Sequence, residues 1–111
     1  MPRELPDIVS DLQSRHGQIE KDGHYFGYLY AKEEAEEIRF TISDYVRVSW
    51  FQPIGTFCCG DVICILENGS LFVYLHDERQ IIRSGMKLEE FAERLATFDR
   101  GLEEEVYIRE D

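Results

Sequence analysis

No apolar run in this 111-residue chain approaches the roughly 20 residues that cross a bilayer. Its opening residues, MPRELPDIVSDL, hold no hydrophobic stretch of the kind a signal peptide needs. Cysteine is scarce and ill-suited to a disulfide framework. Cys58, Cys59 and Cys64 are odd in number, and a bridge between the adjacent pair would be strained. These absences point to a reduced, cytoplasmic protein. Spacings such as C-x-x-C or H-x-x-x-H are missing among the cysteines and His16, His24 and His76, so neither a metal site nor a cofactor is expected. Gly55 and Gly60 are isolated and no lysine follows them, which excludes a phosphate-binding loop. Basic residues are few as well. Twelve Lys and Arg against 23 Asp and Glu leave a net charge of −11, and the basic residues are scattered among acids. Such a field repels nucleic acid and anionic membrane and attracts basic partners. With three prolines, no repeat and no linker, residues 1–111 read as a single domain.

What is present is a folded core. Hydrophobic residues make up 43% of the chain and aromatics 13%, which excludes disorder although 32% of residues are charged. The organising stretch is Pro53–Asp77, PIGTFCCGDVICILENGSLFVYLHD, where two apolar runs flank Glu67-Asn68-Gly69-Ser70. Asn-Gly predicts a two-residue hairpin turn, because both residues tolerate a positive φ. In that register Leu66 faces Leu71, Cys64 faces Val73 and Val62 faces Leu75. On the other side Ile65 faces Phe72, Ile63 faces Tyr74 and Asp61 faces His76. Both faces are apolar, as in a central hairpin covered on two sides.

Around this hairpin, Glu4 to about His16 reads as a helix with Leu5, Ile8, Val9 and Leu12 on one stripe and Gly17 as its stop. Gln18–Gly23 reads as a polar connection. His24–Ala31 alternates with Tyr25, Phe26, Tyr28 and Tyr30, which suits a strand or, through its tyrosines, a contact surface. Lys32–Glu37, with Glu33, Glu34, Glu36 and Glu37, is the most acidic run and fits either an exposed loop or a helical turn. Ile38, Phe40 and Ile42 then alternate, as do Val46, Val48 and Trp50. A hairpin would pair Ile42 with Val46 and Phe40 with Val48, while a helix through Glu33–Arg39 competes for its first half. Phe51–Cys59 reads as an irregular approach, with Pro53 and Gly55 as breakers. Ile81-Ile82 begins a short strand, and Lys87–Phe98 is a helix burying Leu88, Phe91, Ala92, Leu95 and Phe98, closed by a left-handed Gly101. Val106-Tyr107-Ile108 is strand-like within an acidic tail. The expected class is α+β: an antiparallel sheet of about five strands with the N- and C-terminal helices packed against it.

The residues Pro53-Ile54-Gly55, Cys59-Gly60-Asp61 and Val73-Tyr74-Leu75-His76-Asp77 resemble the core of the SMI1/KNR4 (SUKH) superfamily. Ser84, followed by Leu88-Glu89-Glu90-Phe91 and Leu95, resembles its closing serine and acidic, phenylalanine-bearing helix. Leu5-Pro6-Asp7, then Ile8, Leu12 and Gly17, resembles its opening leucine-proline helix. The segment from Lys21 to Trp50 departs from the pattern. The resemblance implies a non-enzymatic binding domain, and for bacterial members an immunity protein that neutralises a toxin domain of a polymorphic or contact-dependent system.

The residues themselves carry no catalytic set. Cys58 and Cys59 beside His76 would need a nearby cation or helix N-terminus to form a thiolate, and the acidic field opposes it. His76 opposite Asp61 reads as a structural pair. The remaining signal is acidic: Glu33–Glu37 and Glu103–Glu105 are either solvated faces or a surface that meets a basic protein. The leading expectation is an immunity protein that occludes a cognate toxin domain, a basic nuclease. Glu33, Glu34, Glu36, Glu37, Tyr25, Tyr28 and Tyr30 are its partner-binding residues. A regulatory scaffold like the fungal members and an acidic nucleic-acid mimic are the alternatives.

Overall fold

The computed structural model describes residues 5–57 and 60–108, so Cys58 and Cys59 lie outside the described residues. At the centre are β4 (Val62–Leu66) and β5 (Ser70–Leu75), paired antiparallel. Their register is one residue away from the sequence expectation: Ile65 faces Leu71, Cys64 Phe72, Ile63 Val73 and Val62 Tyr74. The turn is the cause. The Gly69 N–H donates to the Leu66 carbonyl at 3.0 Å, and Gly69 is left-handed at φ 88°. Asn68 does not take a positive φ; its side-chain oxygen accepts the Ser70 N–H at 3.0 Å instead. The loop therefore holds Glu67, Asn68 and Gly69, a three-residue turn closed by a left-handed glycine. A one-residue slip swaps the faces of a strand. Here both faces are apolar, so the turn, and not hydrophobicity, selects the register.

Among the described residues the sheet has six strands in the order β1-β2-β3-β4-β5-β6, every neighbouring pair antiparallel. Its first hairpin joins β1 (Gly17–Lys21) to β2 (His24–Leu29) through Asp22 and Gly23, at φ 54° and 78°. The segment expected to be a polar connection is thus a strand, and its Asp-Gly pair was the usable signal. β3 (Phe51–Thr56) corrects the irregular approach: it pairs with β4 from Phe51↔Leu66 to Thr56↔Val62, with an irregularity at Ile54. Pro53 is compatible with this strand because β2 pairs with β3 only at Tyr28↔Thr56 and Leu29↔Gly55. Those strands approach closely: a Cβ on Gly55 would lie 2.6 Å from the Tyr28 carbonyl oxygen. On the other side, β6 (Gln80–Lys87) is a full strand extending well past Ile81-Ile82.

Helices cover both faces. On one face, α1 (Leu5–Ser14), α3 (Leu88–Ala96) and α4 (Leu102–Val106) bury Ile8, Leu12, Leu88, Phe91, Leu95, Leu102 and Val106 against Ile63, Ile65, Leu71 and Val73. The strand-like tail is therefore a helical turn. Chain reversal after α3 uses Phe98, at φ 57°, and not Gly101, whose φ is −84°. On the opposite face, α2 (Lys32–Ile42) sets Ala35 and Ile42 over Val62, Cys64, Phe72 and Tyr74. This helix replaces the expected pairing of Ile42 with Val46 and Phe40 with Val48. Ala35, Ile38 and Ile42 form an i, i+3, i+7 stripe in a run of good helix formers, and that period wins over the accidental alternation of Ile38, Phe40 and Ile42.

Candidate partner-binding surface

The sheet fixes the position of α2. Leaving β2, the chain passes Tyr30, whose N–H donates to the Ile54 carbonyl at 3.1 Å, and enters the helix at Lys32. Glu34, in the first turn, accepts the Ala31 N–H at 3.0 Å on one carboxylate oxygen and the Tyr28 hydroxyl at 2.8 Å on the other. It satisfies a helix-end donor and places negative charge at the positive end of the helix. The Ala31 N–H and then the Tyr28 hydroxyl hold the Glu34 carboxyl below the usual range, and the same hydrogen bond raises the Tyr28 phenol. Glu34 is thus a structural residue more than a free contact.

The tyrosines divide likewise. Tyr30 is only 7% exposed and packs under α2, and burial pushes its phenol up to about 12. That removes it from the outer surface. Tyr25 and Tyr28 are half-buried, and Tyr28 lies against Tyr30 at 6.0 Å between ring centroids.

Glu33, Glu36 and Glu37 behave differently. All are exposed, and among the described residues none forms an ion pair or a side-chain hydrogen bond. Their spacing puts them on the helix face opposite Ala35 and Ile42. Phe40 is in the same place: it follows them by seven, four and three residues and is 85% exposed. Past the helix, residues 43–50 fold back so that Phe40, Val46, Val48 and Trp50 line a groove of about 460 Å³ with Glu36 and Arg39. Trp50 is 39% exposed, and it also borders an apolar groove of about 240 Å³ with Pro6, Val9 and Lys32. Sequence reading missed Phe40 and Trp50 because it assigned both to a hairpin. A helical wheel of Lys32–Ile42 would have set Phe40 among the glutamates.

A second cluster lies where β4 begins and β5 ends. The Asp61 carboxylate accepts the His76 N–H at 3.1 Å and the Tyr107 hydroxyl at 2.9 Å, and lies 2.7 Å from His76 Nδ1. This hydrogen bond, with Asp77 at 3.1 Å from Nε2, raises the His76 pKa. The geometry ties α4 to the β4–β5 end. His16 and His24 are elsewhere, His16 bonded to the Gln13 carbonyl and His24 edge-on to Phe26. Cys64 is fully buried and its thiol is pushed well up by that burial. Among the described residues, no group of three or more His, Cys, Asp or Glu is arranged to hold a metal, and no helix is long and apolar enough to cross a membrane. No protein-family model matches the chain, and comparisons with curated proteins and with solved structures find no match.

Proposed function

We propose that this chain is an immunity-type inhibitor that binds a cognate toxin domain, a basic nuclease, in a one-to-one complex and occludes it. The observation that carries this reading is the outer face of α2, where Glu33, Glu36 and Glu37 are exposed and, among the described residues, have no ion-pair or side-chain hydrogen-bond partner. A carboxylate that serves neither capping nor an internal ion pair is free to meet a cation on a partner. The net charge of −11 adds a long-range field of the same sign, and a nuclease must present a positive cleft to its own substrate. The resemblance to the SUKH superfamily supports the same class. In this reading the acidic face speeds encounter, and stoichiometric coverage of the toxin cleft inhibits.

The test begins with the neighbouring reading frame: if it encodes a large protein with a toxic C-terminal domain, that domain is titrated with this protein at low and high salt. A one-to-one complex whose association slows with salt is the expected result. Failure of the wild-type protein to bind would sink the reading.

A further inference from the structure

We infer that Phe40 and Trp50 form the apolar anchor of this surface, and that its occupant is a basic protein segment inserting one apolar side chain between them. A phenylalanine 85% exposed in the last turn of a helix packed on the sheet contributes nothing to the core beneath it. Aromatic residues at the centre of a charged rim are the usual arrangement of an interface hot spot. Here the rim is Glu33, Glu36 and Glu37, and the neighbouring groove runs from Phe40 to Trp50.

The charges select the occupant. A second copy of this chain would bring a second ring of glutamates against the first, and nucleic acid or an anionic membrane would be repelled outright. A Lys- or Arg-bearing segment meets three carboxylates that, among the described residues, have no partner within the fold. Arg39 and Lys32 are on the flank of α2 that faces Trp50. The occupant therefore turns its cations toward Glu33 and Glu37 and its apolar residue toward the groove.

Such a surface presupposes a protein partner of the kind proposed above, but it can be read without the toxin. Trp50 is the chain's sole tryptophan, so its fluorescence reports on the two grooves it borders, and Phe40→Ser separates this one from the groove beside Pro6 and Val9. The probes are a Lys/Arg-rich synthetic peptide with one central leucine and the same peptide with serine in place of leucine. The leucine peptide should shift Trp50 emission saturably and bind at least tenfold more tightly than the serine peptide. Phe40→Ser should abolish that preference without changing the Tm, and Glu33→Gln, Glu36→Gln and Glu37→Gln together should weaken both peptides. Equal affinity of the two peptides, or no saturable emission change, would overturn the anchor. So would self-association that Phe40→Ser removes, because the surface would then be a contact between copies. A toxin domain that fails to bind while the leucine peptide passes this test would leave the anchor standing and remove only the immunity reading.

Discussion

At the scale of single residues, neighbouring glutamates on α2 have opposite uses, and their substitutions should separate cleanly. Glu34 holds the Ala31 N–H and the Tyr28 hydroxyl. Glu34→Gln should therefore lower stability by about 0.5–1.5 kcal/mol at pH 7, whereas Glu33→Gln, Glu36→Gln and Glu37→Gln should stay within about 0.5 kcal/mol. Folding lowers the Glu34 pKa, so its contribution is present above the ordinary value of 4.5 and is lost as pH falls through the lowered value. The gap in thermal stability between wild type and Glu34→Gln should narrow below that pH. A gap unchanged down to pH 3 would show that the carboxylate's charge is irrelevant. Gly69 makes a second residue-level case. Its φ of 88° closes the central hairpin, and Gly69→Val should cost about 1–3 kcal/mol by chemical denaturation.

At the scale of elements, the sheet is covered by helices held in different ways. α3 is anchored by large side chains: Leu95 is 2% exposed and packs in the same core as Phe91 and Leu12. Leu95→Ala should cost about 2–5 kcal/mol, the range for emptying a leucine site in a core. α2 instead approaches the sheet through Ala35, which is fully buried over the β4–β5 hairpin. A larger residue there has no room. Ala35→Leu should destabilise by about 1–3 kcal/mol and, by lifting α2, weaken partner binding as well. Equal stability of this variant and the wild type in urea would mean that α2 rides loosely on the sheet. Together the two substitutions distinguish a helix fixed by what it buries from one fixed by how closely it fits.

At the scale of the whole molecule, the relevant quantity is the field. Exposed charges act over a reach of about 8 Å at physiological ionic strength, and more in dilute salt. Steering of this kind raises association toward roughly 10⁸–10⁹ M⁻¹s⁻¹ at low salt and acts mainly on the on-rate. Replacing Glu33, Glu36 and Glu37 by glutamine should therefore slow association with the proposed basic partner at low salt while changing dissociation little. Phe40→Ser should do the reverse, speeding dissociation, because a central aromatic anchor acts after encounter. Stopped-flow rates for the two variants at 20 and 300 mM salt would check both. A triple glutamine variant that associates at full speed would show the acidic face to be no more than a solvated surface.

Much of the fold was legible in the residues alone: the α+β class, α1, α3 and the central hairpin all follow from apolar stripes and a turn dipeptide, which depend only on neighbours along the chain. The acidic run of Glu33, Glu34, Glu36 and Glu37 was equally plain. What composition could not reveal was how those charges are used, because Glu34 differs from Glu33 only in facing Tyr28 and Ala31. Register was also beyond local reading. With apolar residues on both sides of β4 and β5, no hydrophobic penalty marks the slipped pairing, and the geometry of a three-residue turn decides it. The fate of Phe40 depended on a contest between two periods, settled by whether Ala35 and Ile42 could reach the sheet over β4 and β5. Sequence determines which side chains are able to pack. Only the assembled sheet determines which are left outside, since a surface is whatever the core does not take.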